Sequence, residues 1–315
     1  MRFWKYFASA SIAGALLASA PVLGQSSDNG PPRIVWAAQP VSETPYTGPN
    51  RPIWHIADIL KAHQGQRSWD QQIMLTRDYD GHYVSLAPGE KTKCMFYADD
   101  RVFGWIYSGQ VKITIDGQQP FTATKGYLFD VAPRLSYCME NTGSEPVVFW
   151  RVTPAGQMPS YPTSETPTPV PGWRYIQARI SSTGGYEAPN QPYLDFNAYA
   201  ASGGKTRNFA YDGHTSAHII RAAPITKLPP DTSWGHFHEN MVEAWVVLEG
   251  KLDVKITGVQ DIVTGEVGDI IQANNERWHR ATSDPGSGWS TRLAMTPRNK
   301  EGQVHYFQAD QPPGN

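Results

Sequence analysis

Two histidines one residue apart sit in the most informative stretch of the chain, Trp234-Gly-His-Phe-His-Glu-Asn-Met-Val-Glu-Ala-Trp-Val-Val-Leu-Glu-Gly250. Side chains alternate between the faces of a strand, so His236 and His238 project to one side and Phe237 to the other. Two imidazoles on one face can ligate a single metal ion. Glu239-Asn240 offers a turn, after which Glu243 starts the next strand and can face back to the same point. The tight connection Gly265-Glu-Val-Gly-Asp269 leads into a further strand, and His279 arrives on a later one. Three neutral imidazoles and one carboxylate suit a divalent first-row metal with one or two positions left for water or substrate. Trp245, in phase with Glu243, is a candidate for the lining of a substrate pocket, as are His218 and Gln272 on neighbouring predicted strands. Arg277 and Glu276 flank His279 in a loop that can gate such a pocket. His55, His63, His82, His214 and His305 show no ligand spacing and read as surface or structural residues.

The elements that must position these groups are short and β-rich. Runs such as Val102-Phe-Gly-Trp-Ile-Tyr107, Gln110-Val-Lys-Ile-Thr-Ile115 and Val147-Val-Phe-Trp-Arg-Val152 alternate with Gly, Asp and Pro, a spacing that predicts a sandwich or barrel. The best helix candidate is Ile56–Ala62, with Ile56, Ile59 and Leu60 on one face. Pro159, Pro162, Pro167, Pro169 and Pro171 mark a stiff extended connector. A second β-rich region follows and repeats the outline of the first: Ile106-Tyr-Ser-Gly-Gln-Val-Lys-Ile-Thr-Ile115 compares with Val247-Leu-Glu-Gly-Lys-Leu-Asp-Val-Lys-Ile256.

At the N-terminus, Arg2 and Lys5 precede a short apolar run ending in small residues, which reads as a signal peptide over 1–24. The mature chain is then expected to be exported, to the periplasm, with no membrane segment. Losing Arg2 and Lys5 from 27 cations against 29 anions leaves a formal charge of −4. With no basic excess to neutralise phosphates, a nucleic-acid partner is not expected. Two cysteines exclude a disulfide-dense or Cys-rich metal scaffold, and in an exported protein Cys94 and Cys138 are as readily one disulfide as two thiols.

Taken in order and with their gaps, His236, His238, Glu243, Gly250, Gly268-Asp269 and His279 resemble the two motifs of the cupin superfamily; Asn274 stands where the family often has proline. The resemblance implies an all-β fold of two tandem jelly-roll barrels with few short helices, a bicupin. The implied organisation is a signal peptide (1–24), an arm with a short helix (25–78), a degenerate first barrel (79–155), a Pro-rich linker (156–172) and a metal-binding second barrel with its lead-in (173–315). It places one divalent first-row metal, Fe or Cu ahead of Mn, Ni or Zn, on His236, His238, Glu243 and His279. Aligned on the glycines, the first repeat offers Met95, Tyr97, Val102 and Tyr137 at the four ligand positions, so it carries no metal. Met95 and Tyr137 are then expected to be neighbours, and Cys94 and Cys138 beside them become a candidate disulfide, with two buried thiols as the alternative.

The function this implies is that of an exported metal-dependent enzyme acting on a small organic molecule, aromatic or phenolic, by dioxygenase-type chemistry. Two alternatives stay open: a Mn, Zn or Ni lyase, isomerase or decarboxylase, and a non-catalytic bicupin that binds a metal or small ligand. Pairing into a homodimer is a further expectation of the family.

Overall fold

Short alternating runs punctuated by Gly and Asp cannot form long helices, and in the computed structural model they form, among the described residues, twenty strands and two short helices of six and seven residues. The structure describes residues 33–259, 262–298 and 304–310, so the signal-peptide reading of 1–24 lies outside the described residues. In chain order the elements are β1 (Ile53–Trp54), α1 (Ile56–Ala62), β2 (Trp69–Leu75), β3 (Tyr79–Leu86), β4 (Val102–Ser108), β5 (Gln110–Ile115), β6 (Phe121–Thr124), β7 (Tyr127–Val131), β8 (Tyr137–Glu140) and β9 (Val147–Pro154). They continue with β10 (Tyr193–Asp195), α2 (Phe196–Ala201), β11 (Arg207–Tyr211), β12 (Thr215–Ala222), β13 (His236–Phe237), β14 (Glu243–Glu249) and β15 (Leu252–Ile256). The last are β16 (Val263–Gly265), β17 (Ile270–Ala273), β18 (His279–Ser283), β19 (Ser290–Pro297) and β20 (Tyr306–Phe307).

Two halves repeat one arrangement. The first has a six-stranded sheet, β10-β7-β4-β9-β3-β2, and a small sheet, β6-β5-β8. The second has β1-β17-β14-β19-β12-β11 and a five-stranded sheet, β16-β15-β18-β13-β20. Each large sheet is therefore edged by a strand from the segment leading into the other half. Ile53 pairs with Ile271, and Tyr193 pairs with Phe129. The large sheet of the first half also reaches back to Trp69, upstream of the boundary expected at 79, because β2 pairs along β3.

Both faces of each large sheet are covered, for different reasons. One face packs on the other half, joining Tyr83, Trp105 and Trp150 to Ala217, Ile219, Ala244, Val246 and Leu293 in a single core. The opposite faces close separate interiors, one around Ile106, Ile113, Phe129 and Phe149, the other around Trp245, Val247, Val254 and Ile271. Seating Trp150 in this core needs close approach within its own sheet: a Cβ on Gly81, on the neighbouring strand, would lie 2.2 Å from the Trp150 ring. Truncating a fully buried tryptophan of this kind costs about 3–5 kcal/mol.

Polar ties complete the junction. Arg101 donates to Asp130 at 2.8 Å and to Asp212 at 2.5 Å, and His55 Nδ1 meets Asp269 Oδ2 at 2.8 Å. Asn50 and Asn190 occupy matching places, each bracketing the backbone of one residue, Leu75 and Tyr211 respectively.

His82 is held between two carboxylates. Its Nδ1 bonds Asp70 and its Nε2 lies 2.8 Å from Asp80 Oδ1. Burial opposes the charged ring, yet the bonds and charges of Asp70 and Asp80 outweigh it and raise the imidazole to about 9. The stabilisation is complete below the unfolded value near 6.5 and disappears as pH rises through 9. Thermal melts should therefore show stability falling by about 1–2 kcal/mol between pH 6.5 and 9.5. His82→Gln should flatten that slope, and an unchanged slope in the variant would remove His82 as its cause.

Candidate metal centre

The His-x-His pair lies on β13 and the residue after it, a strand that enters the small sheet of the second half only because a glycine precedes it. Gly235 has φ of 75°, and a Cβ there would stand 2.2 Å from the carbonyl oxygen of His279. The missing side chain lets β13 lie against β18 with His236 directly opposite His279. Phe237 points away, as period two requires, stacking on Tyr306 and meeting Trp278 edge-on. After the bend at Glu239-Asn240, β14 opens with Glu243 facing the same interior.

The structure brings the four expected ligands together. One donor atom from each of His236, His238, Glu243 and His279 lies within 4.8 Å of the others. Glu243 Oε2 is 3.0 Å from His238 Nε2, 3.1 Å from His279 Nε2 and 3.5 Å from His236 Nε2. His279 Nε2 and His236 Nε2 are 3.2 Å apart. All but His236 are buried.

Hydrogen bonds behind the ligands set their roles. The Nδ1 of His279 is 2.9 Å from the carbonyl oxygen of Arg277, and that of His238 is 3.0 Å from the carbonyl of Val304. A carbonyl only accepts, so each Nδ1 carries the proton and each Nε2 presents a lone pair to the centre. Glu243 is divided similarly: Trp245 Nε1 donates to Oε1 at 3.0 Å, which leaves Oε2 for the imidazoles. Burial works against the Glu243 carboxylate, but the surrounding imidazoles hold it well below the usual range. Burial lowers His279, whereas in His238 the carboxylate outweighs burial and raises the ring. Several lone pairs converging on one point at such distances need a cation between them, and this donor set fits a divalent first-row ion.

The other sequence-predicted residues separate by strand phase. Trp245 is 1% exposed and, by holding Glu243 Oε1, is a positioning residue packed against His279. His218 pairs with Ala294, and Ala294 with Trp245, so it faces the ligand interior; burial lowers its ring and the Glu243 charge acts on it. Gln272 does not face it. It pairs with Ala244, one residue out of step with Glu243 and Trp245, and its amide donates to Asn274 on the opposite face of the sheet. Nor do Glu276 and Arg277 form a movable gate: Arg277 is 4% exposed and donates to the carbonyls of Thr44 and Thr257 at 2.5 Å each.

Two residues beside the ligand group escaped the sequence reading. Arg292 lies opposite Val247 on the inner face of β19, where its Nε is buried with no hydrogen-bond partner among the described residues. Burial depresses the guanidinium to about 10 against the pull of Glu243. His305 brings its ring to 4.9 Å from that of His236 and 4.5 Å from that of His238, centroid to centroid, while keeping one flank open to solvent. Partial burial and the neighbouring imidazoles push it down to about 4.

In the first half the equivalent positions hold no donors of this kind. Met95 bridges Tyr137 as His236 pairs with His279, and Tyr97, Val102 and Tyr137 belong to the apolar interior. Cys94 and Cys138, immediately beside that bridge, are joined as a disulfide.

No family model and no curated protein matches the sequence. Solved structures do match the fold. The cupin 2 conserved barrel domain protein from Leptotrichia buccalis superposes with a TM-score of 0.50 at 10% identity, over 78% of this chain and 96% of that one. The salicylate 1,2-dioxygenase from Pseudaminobacter salicylatoxidans gives 0.54 at 12% identity, over 83% and 87%. A variant of that enzyme in complex with gentisate gives 0.54 at 11%, over 78% and 81%. At these identities the likeness is one of fold, and with the β13–β18 ligand group it is specific: the chain has the cupin fold, and its His-His-Glu-His group lies in the second half.

Proposed function

We propose that the chain is an exported, periplasmic bicupin enzyme that uses a metal on His236, His238, Glu243 and His279 to act on a small aromatic acid, by dioxygenase-type chemistry. The observation that carries the substrate class is Arg292. A half-buried guanidinium whose Nε is buried without a partner among the described residues is costly to keep, and it faces the same interior as the ligand group. A carboxylate is the group that would satisfy it, through charge-assisted and bidentate hydrogen bonds. The dioxygenase of similar fold is named for salicylate and has been solved with gentisate, both aromatic hydroxy acids.

A bound first-row ion would supply Lewis acidity and, as Fe or Cu, access to dioxygen. The chain's own residues do the rest. Arg292 anchors the carboxylate, and His218 presents a ring kept neutral by burial to a neighbouring polar group. Trp245 holds Glu243 in one orientation while the apolar interior around Val247 and Ile271 excludes water from the substrate.

The test is oxygen uptake by the chain loaded with Fe(II) in the presence of a hydroxybenzoate, with one O₂ consumed per ring opened. Arg292→Leu should raise KM roughly 10–100-fold, the value of a charge-assisted bond, without changing metal content. Uptake with neutral phenols but not with the acids would overturn the carboxylate reading, and no uptake with either would overturn the dioxygenase.

A further inference from the structure

The metal ligands are not all positioned from within their own sheet. His279 finds its Nδ1 acceptor two residues away, at Arg277. His238 finds its acceptor 66 residues away, at Val304 in the C-terminal tail. That tail returns along β13: Phe307 pairs with His236, and Tyr306 pairs with Phe237. Gln308 clamps the far end, its backbone N–H donating to Gly235 O at 3.1 Å. Its side chain accepts from Trp234 N at 2.8 Å and donates to Thr232 O at 3.0 Å. Tyr306 stacks on Phe237 with rings 14° from parallel, and Phe307 lies against His236. Between these anchors His305 turns its ring toward His236 and His238.

The first half has a counterpart without the histidine. After β9 the Pro-rich connector returns to the matching edge, where Phe96 and Ser160 exchange two backbone hydrogen bonds of 2.9 and 2.8 Å. Glu165 accepts from Cys94 N at 3.2 Å. There the strap covers a disulfide and an apolar interior. In the second half the same device bears on two imidazoles.

We infer that residues 304–308 are a strap that completes the metal centre, so that its docking and metal binding reinforce each other. With the strap in place, Val304 fixes the His238 proton on Nδ1 and leaves Nε2 as a ligand, while His305 walls the site on the β13 side. With the strap undocked, His238 loses the carbonyl that selects its tautomer, and two ligands face solvent. Linkage is reciprocal, so metal must in turn hold the strap down. The inference rests on reading His236, His238, Glu243 and His279 as a metal centre.

The test uses Zn²⁺ as probe, with affinity read by competition against a chelating dye. A chain ending at residue 303 should bind Zn²⁺ about 10–100-fold more weakly than the full chain, the range for loss of a ligand's hydrogen-bond partner. A full-length Tyr306→Ala/Gln308→Ala variant, which weakens docking and leaves every ligand in place, should show a smaller loss in the same direction. Conversely, Zn²⁺ should slow carboxypeptidase trimming through Gln308 in the full chain, and His279→Ala should abolish that protection. Equal affinity with and without the strap, or trimming indifferent to Zn²⁺, overturns the coupling while leaving the metal centre intact. No Zn²⁺ binding by the full chain overturns the metal centre itself, and the coupling with it.

Discussion

Alanine in place of His279 should lower metal affinity more than 100-fold and leave the purified chain without stoichiometric metal. The expectation follows from where that side chain sits. It is 1% exposed, its Nε2 is 3.1 Å from Glu243 Oε2 and 3.2 Å from His236 Nε2, and its Nδ1 is committed to a backbone carbonyl. Loss of an outer hydrogen-bond partner alone costs a metal site about 10–100-fold, and loss of the ligand itself costs more. Elemental analysis and chelator competition read the effect directly. Thermal stability gives a second reading: saturating the native chain with metal at 100 times Kd should add about 2.7 kcal/mol, and the variant should gain nothing. Acid should release the metal through the imidazoles, because Glu243 is held well below the usual carboxylate range and stays ionised after they protonate. Undiminished metal content in His279→Ala would remove this residue from the centre and with it the assignment of β18.

Why the four ligands were legible, and their neighbours were not, comes down to local pattern. His236, His238 and Glu243 are tied to one another by strand period and one turn, features that seven or eight residues encode completely. Arg292 misleads for a physical reason. Along β19 the residues Thr291, Leu293 and Met295 alternate with Arg292, Ala294 and Thr296. In a half-exposed strand the polar phase would face water. Here the large sheet is covered twice: Leu293 and Met295 pack against the first half, and the polar phase is turned into the barrel. The same inversion puts Ser216 and His218 inside on β12, with Ala217 and Ile219 in the core between the halves. On β17 both phases are apolar, since Ile270 joins the core between the halves and Ile271 the interior. The alternation there gives no sign of which face Gln272 takes, and only its pairing with Ala244 sets it. His305 and the exchanged edge strands β1 and β10 depend on pairings across tens to hundreds of residues, which no local pattern records.

Opening the disulfide should be the most costly single covalent change to the scaffold. Cys94 and Cys138 are bonded across a sequence separation of 44 residues. In the chain-entropy account, a loop of that length constrains the unfolded state by about 4 kcal/mol. Replacing both cysteines by serine, or reducing the native chain, should therefore lower Tm by roughly 8–16 °C. Intact mass after alkylation should show no modified cysteine without reductant and two with it. The location explains why the loss falls on the first half. Met95 and Tyr137 meet there as His236 and His279 meet in the second half, and the cysteines are their immediate neighbours. In one half a metal can cross-link the two strands through imidazoles. In the other, tyrosines and a methionine fill the same space with apolar contact, and a covalent bond holds the edge. Metal removal should accordingly destabilise the second half and leave the disulfide-dependent stability of the first unchanged, whereas reduction should do the reverse. Calorimetry of the full chain under the four combinations of chelator and reductant separates the two. A reduced protein within about 2 °C of the oxidised one would show that burial around Ile113, Phe129 and Phe149 holds the first half without the cross-link.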